Sequence, residues 1–348
     1  MIGTLFLLSS GLFLGWSLGA NDAANIFGTA VGTKMIRFYI AAIISSIFVI
    51  IGAVVSGAGA SHTLGQLGEL SAMSGAFTVA LGAALTVLWM TYAKLPVSTS
   101  QAVVGAIIGW NFFAHNPPHV DSLRAIIGAW IFSPILTAIF AFIFFQIIKL
   151  IVDNSRIHLI RLDSLTRWGL IIVGAFGAYS LGANNIGNVM GVFVNSSPFH
   201  DISIGGFLKL SSIQQLFLLG GIAISVGIFT YSKRVMLTVG KSIFKLSPLT
   251  AFVAVLSSSI VLFLFASQSL KTFLVSHGLP SFPLVPVSSS QSIVGAIIGI
   301  SLAKNPKNTN FRMLGKISLG WITTPIAAVI VTYILLFFVQ NVFGQTVT

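Results

Sequence analysis

Ser17-Leu18-Gly19-Ala20-Asn21-Asp22-Ala23-Ala24-Asn25 sets a carboxylate and two carboxamides inside sequence otherwise suited only to lipid. A near copy, Ser180-Leu181-Gly182-Ala183-Asn184-Asn185-Ile186-Gly187-Asn188, follows later in the chain, again with apolar flanks. Asp22 is the sole acidic residue within a strongly apolar segment. A polar interruption written twice in a hydrophobic chain is the pattern of a membrane protein whose site lies where two related halves meet.

Composition widens that reading to the whole chain. Hydrophobic residues make up 55% of the 348 and charged residues only 7%, with a mean hydropathy of +0.99. A water-exposed globular surface needs far more charge than this, so the chain is read as a polytopic membrane protein. The net charge of +12 raises nucleic acid as a partner. The basic residues, however, sit in short runs between apolar spans rather than along one face, and they read as topology signals, with no nucleic-acid partner expected. The lack of cysteine excludes disulfides and thiolate metal sites. The apolar run from Ile2 to Ala20 ends in small residues as a signal peptide does. It has no basic leader and its polar break recurs internally, so it is kept as a mature span.

One crossing of the hydrocarbon core takes roughly 20 residues. On that scale the first half offers segments at 3–33, 38–58, 75–93, 96–113 and 122–151, and the second half at 168–197, 207–231, 246–267, 283–303 and 312–342. The segments at 3–33 and 168–197 exceed one straight crossing and carry the polar break, so each is expected to be a broken or tilted helix. Basic residues cluster at Lys34 and Arg37, from Lys149 to Arg167, from Lys233 to Lys245 and from Lys304 to Lys316, which predicts four cytoplasmic loops. The loops at 59–74, 114–121, 198–206 and 268–282, with both termini, are then extracytoplasmic. Lys94-Leu95-Pro96 reads alternatively as the tip of a re-entrant hairpin, which leaves the parity of crossings unchanged.

A second polar motif is also written twice. Pro96-Val97-Ser98-Thr99-Ser100-Gln101 recurs as Pro286-Val287-Ser288-Ser289-Ser290-Gln291, each followed by an apolar stretch with matching glycines. An odd number of segments per half makes the copies inverted. The expected fold is all-α, two inverted-topology repeats of about five hydrophobic segments each, spanning 1–151 and 168–348 around a cytoplasmic connector at 152–167.

The chemistry of the motifs follows from their residue types. Proline breaks the backbone, Ser98 and Thr99 can cap the helix that follows, and free amides at its positive end then form an anion cradle with the hydroxyls and the Gln101 carboxamide. Ser288 to Gln291 would offer the same from the opposite side. Ser and Thr are also common interhelical glue in membranes, but duplication with glutamine at the same offset favours a site. Gly105/Gly109 and Gly295/Gly299 are read as close helix packing and left outside it. Gly19-Ala20 permits unwinding, after which Asn21, Asp22, Asn25 and freed carbonyls supply the hard oxygen ligands a small cation needs. The bland alternative for Asp22 is a buried carboxyl that is protonated or paired with a base. An anion beside Asp22 concentrates negative charge at low dielectric, so cations must travel with it.

Other chemistries find no support. The six histidines fall in loops or at segment ends without metal-ligand spacing, the tryptophans sit near segment ends as an aromatic belt does, and no Gly-x-x-x-x-Gly-Lys-Ser/Thr loop occurs. No soluble domain and no enzyme activity are expected.

At these residues the chain resembles the inorganic phosphate transporter family of cation-coupled permeases. Gly19-Ala20-Asn21-Asp22-Ala23-Ala24-Asn25 is similar to the family signature, Gly182 to Asn188 echoes it with Asn185 in place of the aspartate, and the paired Pro-Val-Ser-x-Ser-Gln elements complete the likeness. The resemblance implies a secondary active transporter for orthophosphate in a cell (inner) membrane, by alternating access, with sodium as the favoured driver and no other cofactor. It assigns binding to both motif pairs. We place phosphate at Ser98, Thr99, Ser100, Gln101, Ser288, Ser289, Ser290, Gln291, Asn21 and Asn184, and sodium at Asp22, Asn25, Asn185 and Asn188. Proton coupling, a metal-phosphate substrate and sulfate are the rival readings within this fold, and a passive anion channel the rival outside it. A homodimer is expected from the resemblance alone.

Overall fold

The computed structural model describes residues 2–68, 70–92, 97–155, 157–204, 208–238, 246–304 and 311–348. In chain order the first half forms α1 (Ile2–Gly32), α2 (Phe38–Ser56), α3 (Ala58–Leu67), α4 (Met73–Tyr92), α5 (Thr99–Phe113) and α6 (Val120–Asn154). The second opens with α7 (Leu159–Met190), a 3-10 turn at Gly191–Phe193 and a small antiparallel hairpin of β1 (Ile202–Ile204) and β2 (Leu208–Leu210). It continues with α8 (Ser212–Thr230), α9 (Ser232–Thr238), α10 (Pro248–Ala266), α11 (Gln268–Ser276), α12 (Ser289–Lys304) and α13 (Phe311–Asn341). Helix starts follow local chemistry: Ser211 and Gln214 form a reciprocal capping box ahead of α8, and Ser247 caps α10 with Pro248 in the first turn.

Seven helices among the described residues are long and apolar enough to cross a bilayer. The chain is a multi-pass membrane protein. On α6 and α13, Ile127, Ile131, Ile135 and Ile139 and Ile322, Ile326, Ile330 and Ile334 are exposed at four-residue spacing, two matching stripes directed at lipid. α5 and α12, at 15 and 16 residues, fall short of a full crossing.

Several sequence expectations are corrected. α1 and α7 are not broken: both run as continuous helix through Gly19–Asn25 and Gly182–Asn188. The loops expected at 59–74 and 268–282 are largely the helices α3 and α11, and the connector expected at 152–167 shrinks to 155–158 as α7 begins nine residues before Trp168. The segment expected from 207 starts as a helix only at Ser212, after the β hairpin, and the one expected from 283 stays extended until Ser289. Lys94-Leu95-Pro96, the alternative hairpin tip, lies outside the described residues.

Continuous helix through Gly19 and Gly182 has a packing reason. A Cβ at Gly19 would lie 1.9 Å from the carbonyl oxygen of Ile224 on α8, and one at Gly182 2.1 Å from that of Val49 on α2. Gly227 meets the Trp16 carbonyl and Gly52 the Tyr179 carbonyl, both at 2.0 Å by the same measure. These glycines let backbones touch, a use that competes with unwinding. The pattern repeats farther on: Gly105 and Gly109 of α5 lie against the carbonyls of Pro325 and Val329 on α13, while Gly295 and Gly299 of α12 lie against those of Pro134 and Ala138 on α6. Each tight crossing therefore joins one half of the chain to the other, at equivalent positions.

Candidate functional site

The two Pro-Val-Ser elements do what their residues dictate. Ser98 is extended, Ser288 is non-helical, and helix begins with Thr99 and Ser289. Ser98 Oγ accepts from the Gln101 amide at 3.4 Å and Ser288 Oγ from the Gln291 amide at 3.2 Å, so both helices are serine-capped. The two starts lie side by side and are tied reciprocally. Ser100 Oγ donates to the Val287 carbonyl at 3.2 Å, and Ser290 Oγ to the Val97 carbonyl at 3.3 Å. Two positive helix ends thus converge in the protein interior.

α1 and α7 bring their polar signatures to this junction. Asp22 is buried, and its Oδ2 accepts from Ser289 Oγ at 2.8 Å. Asn25 Nδ2 donates to the same hydroxyl at 3.3 Å. From α7, Asn188 Nδ2 donates to Ser100 Oγ at 2.8 Å and to Asn185 Oδ1 at 2.9 Å. Asn184 clamps the extended backbone: its Nδ2 donates to the Val287 carbonyl at 2.7 Å and its Oδ1 accepts from the Val287 amide at 3.0 Å. Among the described residues Asp22 has no basic partner, since the ion pairs there, Arg124–Asp121 and Arg167–Asp163, both involve exposed side chains.

Most of the residues expected in the site are therefore gathered, with differences of role. Asn21 is not joined to the cluster; its Nδ2 donates back to the Ser17 carbonyl at 3.0 Å. In a continuous helix that carbonyl is one turn behind and within reach. The freed backbone oxygens expected near Asp22 do not exist, because α1 does not unwind there. Ser100, Ser290 and Asn184 are committed to backbone groups of Val97 and Val287 rather than left for a ligand. The sequence reading passed over those two valines. Their signal was present: a proline that breaks a helix leaves the next peptide group needing partners.

The remaining polar atoms are hydrogen-bond starved. Gln101 Oε1, Gln291 Oε1, Asn188 Oδ1 and Asn185 Nδ2 are buried without any partner. Each such group costs about 1–3 kcal/mol when left unsatisfied. All four lie on the two helix starts and the α7 signature, with acceptors and a donor both on offer.

Comparison with known proteins adds the following. Residues 18–162, 158–332 and 275–347 match the phosphate transporter family. A protein of Methanocaldococcus jannaschii, named as a candidate phosphate permease, is 29% identical over 93% of this chain and 93% of its own length. The sulfate permease of Bacillus subtilis is 27% identical over 93% of this chain and 84% of its own. A solved structure of a sodium-dependent phosphate transporter superposes with a TM-score of 0.76, covering 98% of this chain and 99% of that one at 21% identity. At that identity the likeness concerns the fold.

Proposed function

The chain belongs to the phosphate transporter family, and on that premise we propose that it carries inorganic phosphate across the cell membrane together with sodium, by alternating access of two inverted repeats. The observation that carries this reading is the cluster of starved carboxamides at two converging helix N-termini beside Asp22. The helix ends favour an anion, and the two protons of dihydrogen phosphate can satisfy Gln101 Oε1 and Gln291 Oε1, or the one proton of hydrogen phosphate either of them, which fully ionised sulfate cannot do. Asp22 with Asn25 and Ser289 is an oxygen-rich corner for sodium. A cation there offsets the negative charge that anion and carboxylate would otherwise bring together in a medium of low dielectric.

Symmetry supports alternating access. Equivalent glycines, prolines and serines of the two halves make equivalent contacts across the middle of the molecule. Both termini are assigned to the extracytoplasmic side from the basic loops. Radiolabelled phosphate uptake into proteoliposomes, with sodium and proton gradients imposed separately on wild type and Asp22→Asn, tests the proposal. Uptake should follow the sodium gradient and fall in the variant; sodium-independent uptake unchanged by the substitution would refute the role given to Asp22.

A further inference from the structure

Positions 22 and 185 are equivalent in the internal repeat, yet one holds a carboxylate and the other a carboxamide. The hydrogen bonds fix which way the carboxamide is turned. The Val287 amide must face an acceptor and its carbonyl a donor, so the backbone sets Asn184 with Oδ1 toward the first and Nδ2 toward the second. That Nδ2 also donates to Asn185 Oδ1 at 3.3 Å, and Asn188 Nδ2 reaches the same oxygen at 2.9 Å. Two donors saturate the Asn185 oxygen. Its NH2, on a residue 1% exposed, is left buried with no partner.

The consequence is a reversal of sign between equivalent places. As a carboxylate, Asp22 offers only oxygen and can only accept or ligate. Asn185 has its oxygen occupied by N–H groups and can only donate, and an amide NH2 does not ligate sodium. Building on the transport reading above, we infer that Asn185 contacts the oxyanion substrate as a hydrogen-bond donor and itself ligates no cation. The two repeats divide the work: the cation belongs to Asp22 in the first, and a substrate oxygen to Asn185 in the second. This replaces the sequence-based assignment of Asn185 to sodium. It makes Asn185 a specificity-determining residue for which ion occupies which half.

The test is phosphate binding and uptake by the full chain in proteoliposomes, titrated with sodium, for wild type, Asn185→Asp and Asn185→Ala. Wild type should follow a single-site sodium curve as regards these two positions. Asn185→Ala removes the donor without adding charge, and should weaken phosphate roughly ten- to a hundredfold, the worth of a hydrogen bond to a charged group, with sodium half-saturation unchanged. Asn185→Asp puts a second carboxylate against the anion, and should weaken phosphate further at low sodium while making the sodium dependence cooperative. Should the aspartate variant fail to fold, the alanine variant alone decides: a shifted sodium half-saturation with intact phosphate affinity would make Asn185 a cation ligand and overturn the inference. Phosphate binding by both variants indistinguishable from wild type overturns it as well. If wild type binds neither phosphate nor sulfate, the transport reading itself fails, and the inference with it.

Discussion

Gly19→Ala should damage both stability and transport although it adds a single methyl group. That methyl would stand 1.9 Å from the Ile224 carbonyl oxygen, where separations under 3.0 Å are not sustained. The helices α1 and α8 must therefore part by about 1.1 Å at the crossing, an overpacking that costs about 1–3 kcal/mol. The obstacle is backbone, so no side-chain rotation relieves it. Nor can the helices pivot freely, because Gly227 presses on the Trp16 carbonyl in the same interface. Asp22 lies three residues from Gly19, about 4.5 Å along the axis. A displacement of that size directed along the 2.8 Å bond from Ser289 takes it out of hydrogen-bond range. Thermal unfolding in detergent, followed by intrinsic fluorescence, should show a lowered midpoint, and phosphate uptake should drop by about tenfold or more, as expected for losing a hydrogen bond to a charged group. Gly182→Ala, aimed at the Val49 carbonyl, should match it, and Gly65→Ala, with nothing within 4 Å, should alter neither readout. Gly19→Ala behaving like Gly65→Ala in both assays would refute the close crossing and its link to the site.

Asn184→Ala strands the Val287 amide, while the Val287 carbonyl keeps Ser100 as a donor. The single substitution should cost about 1–3 kcal/mol, and combination with Ser100→Ala should cost more than the sum in thermal denaturation, because only the double variant orphans the carbonyl. Trp110→Phe removes the indole donor that holds the Val347 carbonyl at 2.7 Å. Hydrogen exchange at residues 344–348 should then quicken by roughly two- to tenfold, the worth of one neutral hydrogen bond.

Much of the site was legible because its residues had no other reason to exist. A carboxylate in a greasy span, and a Pro-Val-Ser-x-Ser-Gln run written twice, violate what lipid allows, and the structure gathers both motifs at one junction. The backbone break and serine cap ahead of α5 also follow from proline and serine, although the segment expected from 283 becomes helical only at Ser289. Gly105, Gly109, Gly295 and Gly299 pack closely as expected, but α1 does not unwind at Gly19. Gly19-Ala20 reads as permitting unwinding, but a glycine such as Gly19 or Gly182 in a membrane helix equally permits close approach, and only the partner backbone decides between these uses. Ile224 and Val49, the partners, lie in the opposite half, beyond any local window. A third repeated element escaped notice for a similar reason. Trp130-Ile131-Phe132-Ser133-Pro134-Ile135 and Trp321-Ile322-Thr323-Thr324-Pro325-Ile326 read as ordinary apolar helix, and their meaning emerges only where Pro134 and Pro325 offer carbonyls to Gly295 and Gly105.

The glycine-to-carbonyl approaches between halves also bear on how the chain is made. A ribosome delivers α1 to α6 first, and at that moment the carbonyls that Gly19, Gly52, Gly105 and Gly109 approach have not been synthesised. Asp22 must wait 267 residues for the hydroxyl of Ser289, and until then its charge has no partner in lipid. Early release of the first helix into the bilayer as an independent span would leave that carboxylate without its partner. The newborn protein completes its interior only when its last quarter arrives.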